Sequence, residues 1–230
     1  MFAREEQRCR ASLDALTAKA PAGHRIQNRE EEGGASEANG FHNEPDSDLS
    51  LPANQEWARK IVKNATGARG KNLGVKTLRE GSIPDEIGPI EGRIKLENVI
   101  DQLREGSRDW QNLGAEGRGR ILRRVADELG ARRLELLSVM MQEAGKTLPE
   151  GDPEVSEAID FARYYAERAE ELENIDGADF EPVKLTVVTP PWNFPVAIPT
   201  GSVTSALAAG SSVIIKPAPQ VRRCAAVMVE

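Results

Sequence analysis

Cysteine is almost absent from this sequence: Cys9 and Cys224 stand at opposite ends of 230 residues, neither with a Cys or His neighbour at ligand spacing. That excludes a disulfide framework, gives no metal site, and fits a reducing, cytoplasmic setting. No excess of basic charge exists either. The formal net charge is -7, so nothing steers the chain electrostatically to nucleic acid or to an anionic membrane. Met1 to Arg10 mixes Arg with Glu and lacks the apolar stretch of a secretory leader, which leaves Asn64-Ala65-Thr66 as a chance match to a glycosylation site. A Gly-x-Gly-x-x-Gly fingerprint is missing as well, so any dinucleotide pyrophosphate has to be held by another device.

Charge is also missing locally, from Leu185 through Ile215, a stretch long enough to cross a bilayer as a helix. Pro190, Pro191, Pro195 and Pro199, with Gly201 and Gly210, cut it into pieces too short to span. A buried strand-helix-strand unit explains the same composition, and no membrane span is expected.

What is present is helical first. The length allows one sizeable domain, or a smaller one with a long arm. Residues 1–20 suit a short helix, Pro21 to Asn54 has linker composition with little core, and Arg59 to Gly92 reads as extended arm or small strands around Ile61-Val62, Leu73 and Val75. From Lys95 the period becomes helical. Leu96, Val99, Ile100 and Leu103 mark one helix, Ile121, Val125 and Leu129 a second, and Leu134, Leu137, Met141 and Ala144 a third that Gly145 ends. Asp152-Pro153-Glu154 reads as the next helix start, and Val155, Ile159, Ala162, Ala166 and Ala169 form a stripe small enough to pack closely on a flat partner such as a sheet.

After a turn at Asp176-Gly177 the pattern becomes β-rich over Val183 to Thr189 and stops at Pro190-Pro191. A helix from Pro199 to Ala209 ends at Gly210, and Ser212 to Ile215 is a second apolar strand ended by Lys216-Pro217. Strand, helix and strand within about thirty-five residues have the size of a βαβ unit, which implies parallel strands and a right-handed crossover.

Ligands of open α/β sheets collect beyond the carboxyl ends of the strands. That rule selects Thr189-Pro190-Pro191-Trp192-Asn193 and Lys216-Pro217-Ala218-Pro219, two loops on one edge of the sheet, roughly 5 Å apart if the strands pair directly. Asn193 offers an amide donor, Trp192 a flat apolar surface and Lys216 a cation for sugar hydroxyls or phosphate. Plainer roles suit the same residues: a helix cap for Asn193, loop packing for Trp192, a solvated strand end for Lys216.

The runs Thr189-Pro190-Pro191-Trp192-Asn193-Phe194-Pro195, Ala206-Leu207-Ala208-Ala209-Gly210 and Ile215-Lys216-Pro217-Ala218-Pro219 resemble the aldehyde dehydrogenase family. Upstream, Glu143-Ala144-Gly145-Lys146 and the Glu154-Val155 helix with Tyr164-Tyr165-Ala166 resemble that family's N-terminal helices, extending the likeness to residues 90–230. Gly40-Phe41-His42-Asn43-Glu44-Pro45-Asp46 and Leu51-Pro52-Ala53-Asn54-Gln55-Glu56-Trp57 resemble more narrowly the bifunctional proline utilisation enzymes. In those, a proline dehydrogenase domain precedes an L-glutamate-γ-semialdehyde (1-pyrroline-5-carboxylate) dehydrogenase domain.

The resemblance implies an α/β fold: an incomplete NAD-binding domain, with a helical layer and the βαβ of a Rossmann-like parallel sheet over 93–230, preceded by a linker arm over 1–92 that includes the tail of a preceding domain. It implies that Asn193 is the catalytic amide that stabilises the oxyanion formed when a cysteine thiolate attacks the aldehyde, a kind of donor worth about a hundredfold to a thousandfold in rate. It implies that Lys216 binds the adenosine ribose of NAD, and that Thr189, Pro190, Trp192, Ala218 and Pro219 line the same cofactor. Many relatives carry a glutamate where Pro219 stands, which disfavours a 2′-phosphate, so NADP remains open beside NAD.

The family's nucleophilic cysteine, deacylating glutamate and Gly-rich turn lie past Glu230. The resemblance therefore implies a chain that is inactive alone and that forms a homo-oligomer with aldehyde and NAD when complete. Cys224 reads as a small core residue. A non-catalytic scaffold, or a dehydrogenase of another aldehyde, are the alternatives.

Overall fold

The computed structural model describes residues 2–14, 27–31, 41–67, 92–172 and 174–230. Eight helices occur among them: α1 (Phe2–Asp14), α2 (Pro52–Gly67), α3 (Arg93–Asn112), α4 (Gly114–Ala131), α5 (Arg133–Glu143), α6 (Leu148–Leu172), α7 (Ala197–Ala208) and α8 (Arg222–Val229). Strands β1 (Leu185–Val188) and β2 (Ser212–Ile215) flank α7, and a 3-10 turn, Pro219–Val221, precedes α8. No described helix is long and apolar enough to cross a membrane.

Helix α6 is the axis of the packing, in contact with α4, α5 and α7. Its expected stripe, Val155, Ile159, Ala162, Ala166 and Ala169, is fully buried. The partners are helices rather than the sheet: Ala166 and Ala169 meet Ala115 and Leu122 of α4 and Ala208 of α7. Small side chains permit that approach, because dispersion gains need backbones brought close without voids. At the seam, a Cβ on Gly119 would lie 2.9 Å from the Ala166 carbonyl oxygen.

A larger cluster joins Trp57 and Ile61 of α2, Leu136, Leu137 and Met140 of α5, Val155 and Ile159 of α6, and Cys224 and Val227 of α8.

Several expectations change here. Residues 59–67 are helical rather than extended, because Trp57, Ile61 and Ala65 recur at four and bury one face of α2. Leu73 and Val75 lie outside the described residues. The 41–54 segment, read as a linker with little core, is tied down by charge instead of apolar area. The Glu44 carboxylate pairs with Arg29, Arg133 and Arg163 at 3.1, 3.2 and 2.9 Å. Asp160 accepts from the Asn43 amide and the Glu44 N–H, both at 2.6 Å. Over 41–67 the expected arm thus shares the body of the helical layer.

On α4 the buried face runs through Ala115, Arg118, Gly119, Leu122 and Ala126, leaving Ile121 exposed. Helix α6 starts at Leu148 and not at Asp152. The backbone N–H and hydroxyl of Thr147 both donate to Glu150, at 2.8 and 2.7 Å, which supplies the carboxylate half of a capping box on Thr147-Leu148-Pro149-Glu150. Asp152 instead accepts from the Ser47 hydroxyl and from Arg133, at 2.8 and 2.9 Å.

The strand-helix-strand unit forms as expected. β1 and β2 are parallel, with Leu185 opposite Ser212 and Val188 opposite Ile215. Gly210, at φ +83°, provides the left-handed residue that ends α7 and turns the chain into β2.

Gly119→Ala tests the α4–α6 seam. Alanine alone would favour an exposed helix by about 1 kcal/mol, but the fixed carbonyl of Ala166 leaves no room, so the expected net effect is a loss of about 1–3 kcal/mol. Urea unfolding of the two proteins measures it, and an unchanged or raised midpoint would refute the close contact.

Candidate functional site

The ladder that joins the strands continues one residue past them: the Lys216 N–H donates to the Val188 carbonyl at 2.8 Å. Parallel direction places the exits of both strands on one rim, with the loops starting at Thr189 and Lys216 side by side. Thr189, Asn193, Lys216 and Pro219 are exposed there, Pro190 is half-buried, and Trp192 is 51% exposed. Ala218 packs partly against the core and begins the 3-10 turn by accepting from the Val221 N–H at 3.1 Å. One of the plainer roles is thereby removed. Asn193 caps no helix, since the residue before α7 is Val196, which has no side-chain acceptor, while Trp192, half covered, lies outside the core.

The acceptor for α7 comes from elsewhere. Glu154, buried on α6, takes the backbone N–H groups of Val196 and Ala197 on one carboxylate oxygen, at 2.7 and 3.1 Å. Its other oxygen pairs with the Lys146 ammonium, and Lys146 lies 4.2 Å from the centre of the Phe194 ring. Glu143 repeats the device on the second loop, accepting from the Arg223 and Cys224 N–H groups of α8 at 3.0 and 2.9 Å. Glu143 and Glu154 were legible as motif letters but not as caps, because the helices they cap lie 42 to 81 residues away in sequence.

The other end of α7 is satisfied by cross-element donors as well. Trp110 Nε1 donates to the Leu207 carbonyl at 2.8 Å, Gln111 to that of Gly210 at 3.2 Å and Arg118 to that of Ala208 at 3.0 Å. A carboxylate at the N-terminus and a buried guanidinium at the C-terminus both complement the helix dipole.

Chemically, the rim offers an amide, an ammonium, a flat indole and proline-stiffened backbone, a set that fits the ribose hydroxyls and rings of a nucleotide. It does not offer a helix N-terminus to a diphosphate, since the first amides of α7 and α8 are already bound to carboxylates. Among the described residues no group of three or more potential ligands could hold a metal ion.

Helices packed on a small parallel sheet whose strand ends form one rim define the class: the chain belongs to the aldehyde dehydrogenase family, whose model matches residues 91–230. Within it, the chain is 34% identical over 184 residues to the bifunctional protein PutA of Salmonella typhimurium, an alignment that covers 78% of this chain and 14% of that protein. It is 30% identical over 205 residues to the 1-pyrroline-5-carboxylate dehydrogenase of a Geobacillus species, covering 77% and 39%. The crystal structure of 1-pyrroline-5-carboxylate dehydrogenase from Thermus with bound NAD matches with a TM-score of 0.69 at 25% identity, over 84% of this chain and 43% of that one. The chain therefore spans less than half the length of each of these relatives.

Cys224 is buried, and that burial, with Glu143 beside it, pushes its thiol far above the ordinary range. A nucleophile needs the opposite shift. Cys9 is exposed, so a thiol-disulfide reagent such as Ellman's is expected to titrate one cysteine in the native chain and two in denaturant. Rapid native reaction at Cys224 would contradict its burial.

Proposed function

We propose that this chain serves an NAD-dependent dehydrogenase that oxidises L-glutamate γ-semialdehyde, the open form of 1-pyrroline-5-carboxylate, to glutamate in proline catabolism. Membership of the family and the activities for which its relatives are named support the reaction class. The single observation that carries this chain's part in it is the common rim of the two loops, with Asn193, Trp192 and Lys216 all open to solvent. NAD, when bound, accepts the hydride.

The chain's own residues bind and orient. Lys216 donates to ribose hydroxyls, Trp192 and Pro190 wall the nucleotide, Thr189, Ala218 and Pro219 supply the backbone surface around it, and the Asn193 amide donates to the oxygen that gains negative charge when the aldehyde is attacked. Pro219 brings no carboxylate to oppose a 2′-phosphate, so NADP is admitted beside NAD. The full enzyme is expected to work as a homo-oligomer in the cytoplasm.

Neither cysteine suits the attack. One is buried and protonated, the other sits on α1. The chain by itself is therefore expected to turn over no aldehyde, and this same observation favours, as a second reading, a nucleotide-binding or interaction role without catalysis.

Calorimetric titration separates these readings from a mere likeness. Saturable NAD binding that weakens about tenfold in Lys216→Ala, the loss of one charge-assisted hydrogen bond, is expected. Absence of binding, or affinity indifferent to Lys216, would remove the cofactor role.

A further inference from the structure

The loop between Val188 and α7 is poorly equipped to hold itself. Pro190, Pro191 and Pro195 carry no N–H, and Val196, where the helix begins, has no acceptor to cap its first amides. Its first end is fixed by the strand ladder at Val188. Its second end is fixed by Glu154, whose side chain is 1% exposed and whose two oxygens reach different targets: the Val196 and Ala197 amides, and Lys146. Through Lys146 the same group also reaches Phe194, the immediate neighbour of Asn193. A buried carboxylate in a wholly apolar slot would be expelled or neutralised; here every oxygen is used, and all the partners lie on or beside the loop.

The arrangement recurs at the second loop, where Glu143 on α5 holds the first amides of α8 and so the far end of the turn that follows Lys216. Each strand exit is thus spanned between a sheet hydrogen bond and a glutamate of the helical layer.

We propose that Glu154 is a positioning residue for the nucleotide rim, setting where Asn193 and Trp192 stand through the amides of Val196 and Ala197, and that Glu143 does the same for the loop of Lys216. This rests on the cofactor reading of those loops. Neither glutamate touches the nucleotide; both act by fixing backbone that does. The helix N-termini they occupy are unavailable to phosphate, so their contribution is to geometry rather than to binding charge.

Hydrogen exchange by mass spectrometry on the full chain, paired with NAD titration, tests it. In Glu154→Ala, exchange in the peptide spanning Val196 and Ala197 should quicken about tenfold or more, as loss of charge-assisted bonds requires, while α4 and α5 keep their protection. NAD affinity should fall by a similar factor. Glu154→Gln keeps a neutral acceptor oxygen for the two amides and should recover part of both losses, which a general loss of packing would not do. Glu154→Leu fills the same volume without an acceptor and repeats the measurement should the alanine variant unfold. Glu143→Ala should expose the Arg223 and Cys224 amides and leave those of Val196 and Ala197 alone.

Unchanged exchange at Val196 and Ala197 would overturn the proposal, as would lost protection with NAD affinity unmoved. If the unaltered chain binds no NAD, the cofactor reading falls by itself, and the exchange measurement still decides whether Glu154 holds the loop.

Discussion

The hydrogen bond from the Lys216 amide to the Val188 carbonyl, at 2.8 Å, closes a short parallel ladder on which the rest of the site depends. Reverse the direction of one strand and the two loops leave from opposite edges; slip the register by one residue and Lys216 turns toward the other face. Two strands of four residues each carry too few hydrogen bonds to hold themselves in water. The ladder persists because α7 and α3 pack on it and because α7 is fastened at both ends by other elements. Arg118, Trp110 and Gln111 hold its last carbonyls, and Glu154 holds its first amides. Sheet geometry and helical layer are in this sense one object.

The strand-helix-strand unit was legible from residues alone because each of its signals is local: a charge-free run, prolines at the strand exit, Gly210 after the helix. The small-residue stripe on α6 was equally plain, although its partner was not, since Ala and Gly report closeness and not what lies opposite. Signals in competition were read less well. Asp152-Pro153 looked like a helix start and hid the Thr147–Glu150 cap one turn earlier, and Ile121 looked like core although Leu122 and a buried Arg118 form the true face.

Long-range polar ties were the least legible. Nothing near Glu44 in sequence announces three arginines, one of them 119 residues away, and composition alone made that segment look like a linker. Glu143 and Glu154 likewise stood in recognisable motifs without revealing that each caps a helix in another layer. The exposure of Trp192 and Asn193, by contrast, follows from a proline-rich turn that has little to pack against.

In the proposed role Lys216 faces the ribose of a nucleotide lying on the rim shared with Trp192 and Asn193. Periodate-oxidised NAD, whose ribose hydroxyls have become aldehydes, condenses with a lysine amine held beside them, and borohydride fixes the adduct for peptide mapping. Lys184, just before β1 and on the opposite rim, is a built-in control. Labelling concentrated on Lys216 and suppressed by excess NAD is the predicted result; label spread over exposed lysines including Lys184, with no protection by NAD, would contradict it.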